Sequence, residues 1–387
     1  MPAALLLLSP FDVLASLAMD IYLPVVPIIP GALGTSPAVV QLTLSLYMIG
    51  LGLGQLVFGP ISDRIGRRPV LIGGALAFMT ASFLLAVTSL SPVFLSLRIA
   101  QALGASAMLV AVFTTVRDVY AQRPEGAVIY AMLGSLLSFV PALGPIAGAL
   151  IANSFGWRAI FVALGALALA ATLNAWLTWR ETRPLTHGPA RAGFGPILRS
   201  FAFWTYTLAF AAAMGSFFVF FSTAPRVLIG KVGFSQLGFS LAFASAALVM
   251  IVATRFAKSF VARWGIEGSV RRGMAMLLLG AGLLAMGQSL AEPSFASFVM
   301  PMWVIAVGIV LTASVTANGA LAPFGETAGT AVALYFCLQS VIVSTVGTLF
   351  ILILDGDTAR PMAGYCWLMA TMTLVMLGIL KRRANAA

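Results

Sequence analysis

The run "PVLIGGALAFMTASFLLAV", residues 69–87, decides the fold class of this chain because it contains no acidic or basic side chain. A helix needs about 20 apolar residues to cross the hydrocarbon core of a bilayer. A second run of the same kind, "AIFVALGALALAATLNAWL", covers residues 159–177. Strands of a transmembrane barrel would instead alternate apolar and polar residues over about ten positions. These runs therefore predict membrane-spanning α-helices.

The composition of the whole chain agrees with this interpretation. Hydrophobic residues make up 61% of the 387 residues and charged residues 9%, and the mean hydropathy is +1.04. Soluble domains carry about 25% charged residues. Too little polar surface is present to cover a water-soluble globule, so we predict an all-α membrane protein whose surroundings are the lipid bilayer.

Polar breaks divide the chain into twelve predicted spans. The longest break, "RETRPLTHGPARAGFGPILRS", begins at residue 180 and is rich in Gly, Pro and Arg. It predicts two six-helix bundles, residues 1–179 and 203–387, joined by a cytoplasmic linker over 180–202. The spans are expected near residues 4–26, 39–60, 70–90, 92–115, 127–151, 157–179, 203–224, 238–258, 273–291, 296–317, 328–352 and 361–380.

The basic residues predict the orientation, because cytoplasmic loops carry an excess of Lys and Arg. With a cytoplasmic N-terminus, 17 of the 22 Lys and Arg residues fall on the cytoplasmic side and Arg98 falls inside a span. Both termini are then cytoplasmic, and the net charge of +11 does not indicate a nucleic-acid partner. A monomer is expected, and the N-terminus lacks the basic region of a cleavable signal peptide. Four basic residues fall outside: Arg158, Arg226, Lys231 and Arg360.

The two halves share a short internal repeat. "VQLTLSLYMIG" from residue 40 and "SQLGFSLAFAS" from residue 235 have Gln-Leu and Ser-Leu at the same spacing. A six-span unit repeated about an axis along the membrane normal is a known transporter plan, in which the substrate binds near the bilayer midplane.

The first predicted span carries two carboxylates, Asp12 and Asp20. One Asp near the bilayer centre costs roughly 2.5–3.5 kcal/mol on insertion scales. Eight helical residues correspond to about 80° of rotation and about 12 Å of rise, so both side chains can border one cavity at different depths. Two alternatives remain open: either Asp lies at an interfacial helix end, or one forms a structural ion pair with Arg98.

The loop "GPISDRIGRRP", residues 59–69, combines Gly59, Gly66 and the acid Asp63 with three arginines, Arg64, Arg67 and Arg68. A positive-inside anchor with a tight turn at Gly66 explains the arginines. It does not explain Asp63, which can pair with a nearby arginine or cap a neighbouring helix. We interpret the loop as a gating latch.

This loop resembles the signature loop of the major facilitator superfamily, whose members have twelve spans in two halves. "RIAQALGAS", residues 98–106, is similar to the buried-arginine motif of that family, with Arg98, Gln101 and Gly104. "VPALGPIAGA", residues 140–149, resembles the motif of its antiporters, although Ala149 replaces the final Gly. Its glycines permit close helix approach and its prolines bend a helix, so a structural hinge and a direction-setting hinge both fit. The matching positions are Pro141, Gly144, Pro145 and Gly148.

The stretch "MDIYLPVVP" (19–27) resembles one branch of the family, the drug:proton antiporters that include bicyclomycin exporters. Three further stretches narrow the resemblance: "SPFDVLASLAMDIYLP" (9–24), "SFFVFFSTAPRVLIG" (216–230) and "TRFAKSFVARWG" (254–265). Over nearly the whole chain the likeness is greatest to the chloramphenicol and florfenicol exporters, whose basic N-terminal extension is missing here. The resemblance implies a proton-coupled antiporter of phenicol antibiotics in the bacterial inner membrane, with Asp12, Asp20 and Arg98 as its polar core.

Two other functions are alternatives for this sequence. The first is a broader multidrug or metabolite exporter of the same family. The second is a membrane enzyme or sensor on the same fold, which the sequence does not favour because it has no nucleophile motif or His/Cys metal cluster. No G-x-x-x-x-G-K-[ST] motif occurs either, so direct ATP drive is not supported. We expect no cofactor or metal, and a proton carried by a buried carboxylate as the coupling ion.

The cargo site of such an exporter is expected to be apolar and aromatic. Candidate lining residues fall in both halves, although aromatic residues in membrane helices are more often packing or lipid-facing residues. Cys337 and Cys366 lie in apolar runs, where small buried side chains are favoured over a disulfide or a metal site. The candidate lining residues are Tyr47, Phe217, Phe218, Phe221, Asn318, Tyr335 and Gln339.

Overall fold

A computed structural model describes residues 3–120, 124–183, 194–290 and 292–386. Within these ranges the chain is α-helical with short 3₁₀ and π turns and no β-strand. It divides into two compact units, Met1–Pro189 and Ala190–Ala387. The domain boundaries predicted from the sequence stay a prediction, and residues 184–193 of the predicted linker, His187 included, lie outside the described ranges.

The first unit contains six long helices. Ser36 begins the second helix by accepting a hydrogen bond from the backbone N–H of Val39 at 3.4 Å, with Pro37 at the first helical position, where its missing N–H costs nothing. Gly66 separates the second and third helices with a φ of +109°. The helices are α1 (Ala3–Asp20), α2 (Pro37–Ile65), α3 (Arg67–Val87), α4 (Ser91–Tyr120), α5 (Pro124–Phe155) and α6 (Arg158–Thr178).

The first span differs from the sequence prediction at its outer end. Helix α1 ends at Asp20, and the chain continues through a 3₁₀ turn, Leu23–Val25, and a single helical turn, Ile29–Ala32. Proline at positions 24, 27 and 30 removes backbone donors here. An uninterrupted helix to residue 26 is therefore replaced by a chain of short turns.

Small residues bring the helices of the first unit close together. A Cβ atom added at Gly104 of α4 would lie 2.6 Å from the carbonyl oxygen of Gly74 in α3, and one at Gly54 of α2 would lie 2.7 Å from the Cβ of Ser106. Close backbone approach at small residues is a main source of packing energy between helices in lipid. It places α4 between α2 and α3, while α1 packs against α4, α5 and α6.

The second unit contains the remaining spans. Its longest helical stretch is interrupted by a kink at Gly265, whose φ of +64° is not helical, so two helices meet there and supply two of the predicted spans. Eleven helices in the described ranges are long and apolar enough to cross a membrane, and the kink makes them agree with the twelve-span prediction. The helices are α7 (Phe201–Pro225), α8 (Gln236–Leu290), α9 (Met300–Leu321), α10 (Ala328–Ile353) and α11 (Arg360–Ala386).

Helix α7 is the centre of the second unit, where it packs against α9, α10 and α11. Its phenylalanines join an aromatic cluster around Phe243 of α8: the ring of Phe220 stacks on that of Phe243 with centroids 5.3 Å apart and on Phe298 at 5.7 Å. Cys337 and Cys366 are free and buried, as predicted for small apolar side chains.

Candidate functional site

Both carboxylates of α1 lie inside the first unit and not at its lipid-facing surface. The side chain of Asp12 is 0% exposed and that of Asp20 is 6% exposed. Asp20 is the last residue of α1, so it is at a helix end, but it is not an exposed interfacial residue. Neither carboxylate oxygen of Asp12 has a hydrogen-bond partner among the described residues.

Arg98 of α4 is fully buried and bonded to the backbone of α1. Its Nη1 donates to the carbonyl oxygen of Ala18 at 3.1 Å and to Oε1 of Gln101 at 2.6 Å. The amide of Gln101 is fixed in turn, because its Nε2 donates to Oγ of Ser82 on α3 at 2.8 Å. Residues from α1, α3 and α4 thus fix the position of one guanidinium group.

Two tyrosine rings enclose the same guanidinium group. The Cζ atom of Arg98 lies 4.5 Å from the ring centroid of Tyr47 and 5.2 Å from that of Tyr22. The hydroxyl of Tyr47 donates to the carbonyl oxygen of Ala15 at 2.7 Å. Cation–π contacts of this kind partly replace the lost hydration of a buried cation. Tyr47, expected to line the cargo site, is fully buried against Arg98 in this conformation.

Arg98 has no carboxylate partner in the described part of the chain. No ion pair joins it to Asp12 or Asp20, and its Nε and Nη2 have no hydrogen-bond partner there. The predicted alternative of a structural ion pair with Arg98 is therefore absent from this conformation. A buried charge without a counter-ion costs several kcal/mol. The two free donors can bind a carboxylate oxygen or a polar group of a ligand.

The glycines of the antiporter-like motif pack against the end of α1. A Cβ atom added at Gly144 of α5 would lie 2.8 Å from the Cβ of Asp20, and one added at Gly148 would collide with the carbonyl group of Ile21. Pro145 is buried and Pro141 is half-buried on the same helix. The close approach predicted from the motif is therefore an approach to the segment that carries Asp20.

The loop between α2 and α3 forms a second polar cluster. Nη1 of Arg67 lies 2.8 Å from Oδ1 of Asp63, and its Nε lies 2.7 Å from Oδ2 of Asp118 at the end of α4. Asp63 thus pairs with an arginine, one of the two roles predicted for it. Asp118 was missed in the sequence, although its position beside Arg117 at the predicted cytoplasmic end of the buried-arginine helix was a usable signal.

Glu181, three residues after the end of α6, is the second residue that sequence reasoning missed. Its carboxylate accepts hydrogen bonds from the backbone N–H groups of Arg67 at 2.8 Å and Arg68 at 3.1 Å, so Glu181 and not Asp63 caps α3. Burial raises the pKa of this carboxyl, but hydrogen bonds from the backbone N–H groups of Arg67, Arg183, Arg68 and Thr182 together lower it by more. The pKa of Glu181 therefore lies below its ordinary value.

Gly66 leaves the space that Glu181 needs. A Cβ atom there would collide with the Glu181 carboxylate, and the positive φ also disfavours other residues. Two neighbouring contacts hold the same junction: Arg68 donates to the carbonyl oxygen of Trp176 at 2.8 Å, and the Arg183 guanidinium donates to the carbonyl of Arg64. A Cβ at Gly59 would meet open space.

The candidate cargo residues of the second unit differ in accessibility. Phe218 and Phe221 are buried and stacked on each other with centroids 6.5 Å apart, while Phe217 is half-buried. Tyr335 is buried and donates to Oγ1 of Thr316 at 3.1 Å. Gln339 is buried and donates to Oγ of Ser340 at 2.9 Å, whereas Asn318 is exposed. Their contact with cargo stays a prediction.

Comparison with known proteins agrees with this architecture. A chloramphenicol resistance protein of Pseudomonas aeruginosa is 51% identical over 375 residues, which cover 96% of this chain and 89% of that protein. The multidrug resistance protein MdtL of Salmonella heidelberg is 31% identical, covering 85% of this chain and 81% of its own.

Solved structures show the same fold. A bacterial homologue of the human lysosomal transporter Spinster, in an inward-facing and unoccupied conformation, superimposes with a TM-score of 0.72 at 16% identity and covers 97% of this chain and 94% of its own. The sequence profile of the Major Facilitator Superfamily matches residues 11–348. This chain therefore belongs to the major facilitator superfamily, a family of membrane transporters and not of enzymes.

Proposed function

We propose that this chain exports phenicol antibiotics, chloramphenicol and florfenicol, from the bacterial cytoplasm by alternating access in exchange for protons. The observation that carries the proposal is the 51% identity to a chloramphenicol resistance protein over 96% of the chain. That relative's name concerns chloramphenicol. Florfenicol is added because the two drugs share the phenicol skeleton, and proton coupling is added from the buried site.

The arrangement around Arg98 supports proton coupling. An antiporter needs a group that carries a proton in one step and releases it in another. Asp12 and Asp20 are buried acids on the helix whose backbone is bonded to Arg98, and neither is neutralised by an ion pair in the described residues. Protonation of either carboxylate removes the free-energy cost of its buried charge. The drug and the free donors of Arg98 then compete with the proton for the ionised carboxylate.

The contact between α5 and α1 gives the coupling site a mechanical connection. Gly144 and Gly148 touch the segment from Asp20 to Ile21. A change in the tilt of α5 near Pro141 or Pro145 moves this segment directly. The cluster of Asp63, Arg67 and Asp118 at the predicted cytoplasmic end serves as the latch that favours one orientation of the transport cycle.

A broader multidrug exporter is the second candidate. It is favoured by the relatives named multidrug resistance protein MdtL, including one of Shewanella oneidensis that is 28% identical over 86% of this chain. Their lower identity makes phenicols the first choice. In both cases the protein lies in the bacterial inner membrane as a monomer with both termini in the cytoplasm.

The deciding experiment measures drug accumulation in an efflux-deficient bacterium. Cells that express the chain are expected to accumulate severalfold less chloramphenicol and florfenicol than vector controls, and a protonophore is expected to abolish the difference. Unrelated antibiotics in parallel separate a phenicol exporter from a multidrug exporter. Unchanged accumulation of both phenicols, with protein detected in the membrane, rejects the cargo assignment. Reduced accumulation that survives the protonophore rejects proton coupling.

A further inference from the structure

The first arm of α8, residues 236–264, is longer than a membrane crossing needs. At 1.5 Å per residue it extends about 43 Å, whereas the hydrocarbon core is about 30 Å thick. About 20 residues counted from Gln236 cross the hydrocarbon core, which therefore ends near Arg255. The segment "RFAKSFVARW", residues 255–264, then lies at the depth of the lipid headgroups. We call residues 255–264 the α8 extension.

A lipid-facing stripe of the span continues into the α8 extension. Leu248, Val252 and Phe256 follow one another at intervals of four residues and are 59%, 51% and 53% exposed. Phe260 and Trp264 continue the series, with the rings of Phe256 and Phe260 6.3 Å apart and those of Phe260 and Trp264 stacked at 5.1 Å. Trp264 at this depth is typical of the membrane–water interface. This continuity indicates lipid as the neighbour of this face.

Unpaired cations lie beside the aromatic stripe. Arg255, Lys258 and Arg263 are exposed, and within the described ranges their side chains make no hydrogen bond or ion pair. The α8 extension contains no acidic residue. The next acid along the chain, Glu267, already pairs with Arg271 at 2.5 Å and with Lys381 at 3.8 Å.

We propose that the α8 extension is a binding site for anionic phospholipids. Arg255 and Arg263 are eight residues apart and about 80° apart around the helix, so both lie on the side of the helix next to Phe256. Lipid phosphates lie beside these two arginines, and the acyl chains follow Leu248 and Val252. An acidic protein partner would satisfy the cations but not the continuous apolar stripe. The site belongs to the cytoplasmic leaflet in the proposed orientation.

The test measures lipid binding to the purified full-length protein by native mass spectrometry. The probes are dioleoylphosphatidylglycerol and the zwitterionic dioleoylphosphatidylcholine. Wild type is expected to prefer the anionic lipid, and this preference is expected to weaken as salt is raised. R255Q/R263Q is expected to bind the anionic lipid about 30-fold more weakly, from roughly 1 kcal/mol for each basic residue near an anionic surface.

The matched control is K231Q/R360Q, which removes two exposed cations from the opposite predicted side and is expected to bind like wild type. R255K/R263K is expected to restore most of the affinity. The proposal is overturned if wild type binds both lipids equally, if both glutamine pairs weaken binding alike, or if inorganic phosphate at equal concentration displaces the lipid. If R255Q/R263Q does not fold, the salt series on wild type decides instead. A preference for the anionic lipid that does not weaken as salt is raised then overturns the proposal.

Discussion

At the scale of single residues, the notable feature is a buried arginine whose position is fixed by neutral groups. Arg98 donates to the carbonyl of Ala18 and to Gln101, and Tyr22 and Tyr47 cover it. A counter-ion would lower its energy further, but it would also occupy the two donors that remain free. Leaving them free keeps two donors of Arg98 available to an anionic or polar group.

This arrangement predicts separable effects for the two aspartates. Asp→Asn keeps the size of the side chain and removes the titratable proton. If Asp20 carries the coupling proton, D20N is expected to lose drug-induced proton release from purified protein while still binding chloramphenicol. D12N is expected to show the same loss if Asp12 is the carrier. The measurement follows the pH of a weakly buffered solution when chloramphenicol is added.

The control for these variants is D355N, because Asp355 lies in the loop between α10 and α11, and Asn tolerates its positive φ of 62°. It is expected to release protons like wild type. Full release from both D12N and D20N contradicts a single carrier among the two acids. Absence of release from wild type contradicts the antiport mechanism.

The residue scale also shows which parts of the site the sequence could reveal. Each charged residue in a membrane span costs free energy to insert into the bilayer, so such residues stand out in an apolar sequence. For this reason Asp12, Asp20 and Arg98 were predictable. The role of Ser82, and the covering of Arg98 by Tyr22, were not. They depend on the register between α1, α3 and α4, which is set by the close approach of glycines such as Gly74 and Gly104.

At the scale of elements, helix ends make the important contacts. The end of α1 rests on Gly144 and Gly148 of α5, and the start of α3 is capped by Glu181 from the segment after α6. The twelve apolar runs predicted the helices themselves. They did not predict that the two arms of α8 both extend to one non-helical residue, Gly265, because apolar periodicity is lost in the charged segment between the predicted spans.

The Glu181 cap predicts a pH-dependent contribution to stability. E181Q keeps one acceptor oxygen but loses the charge that favours the helix N-terminus. Its melting temperature at pH 7 is expected to be lower than that of wild type by about 1–3 °C. Because the pKa of Glu181 lies below its ordinary value of 4.5, its contribution is present above pH 4.5 and disappears as the pH falls through the folded-state pKa.

The measurement is a thermal melt of detergent-solubilised wild type and E181Q between pH 7 and pH 3. The two curves are expected to converge at the acidic end. E267Q serves as the control, because Glu267 is a surface acid paired with Arg271 and surface pairs contribute about 0–1 kcal/mol. A difference between wild type and E181Q that is constant over the whole pH range would refute the charged cap.

At the scale of the whole molecule, the two units share one polar feature at positions that the sequence repeat relates. Gln41 of α2 and Gln236 of α8 occupy equivalent positions in the repeat. Both carry a buried side-chain amide oxygen without a hydrogen-bond partner in the described ranges. The repeat therefore places a buried polar group at the same position in both halves.

The distribution of basic residues makes the orientation of the whole chain testable. Four of the 22 Lys and Arg residues fall on the predicted outer side and 17 on the cytoplasmic side, and basic residues in short loops resist translocation across the membrane. Reporter fusions read this orientation directly: green fluorescent protein fluoresces only in the cytoplasm, and alkaline phosphatase is active only outside. We expect a fluorescent protein at the C-terminus to be bright. Alkaline phosphatase fused after Asp355, in the loop before α11, is expected to be active. The opposite result at both positions would invert the membrane topology, and it would also move the α8 extension to the outer leaflet.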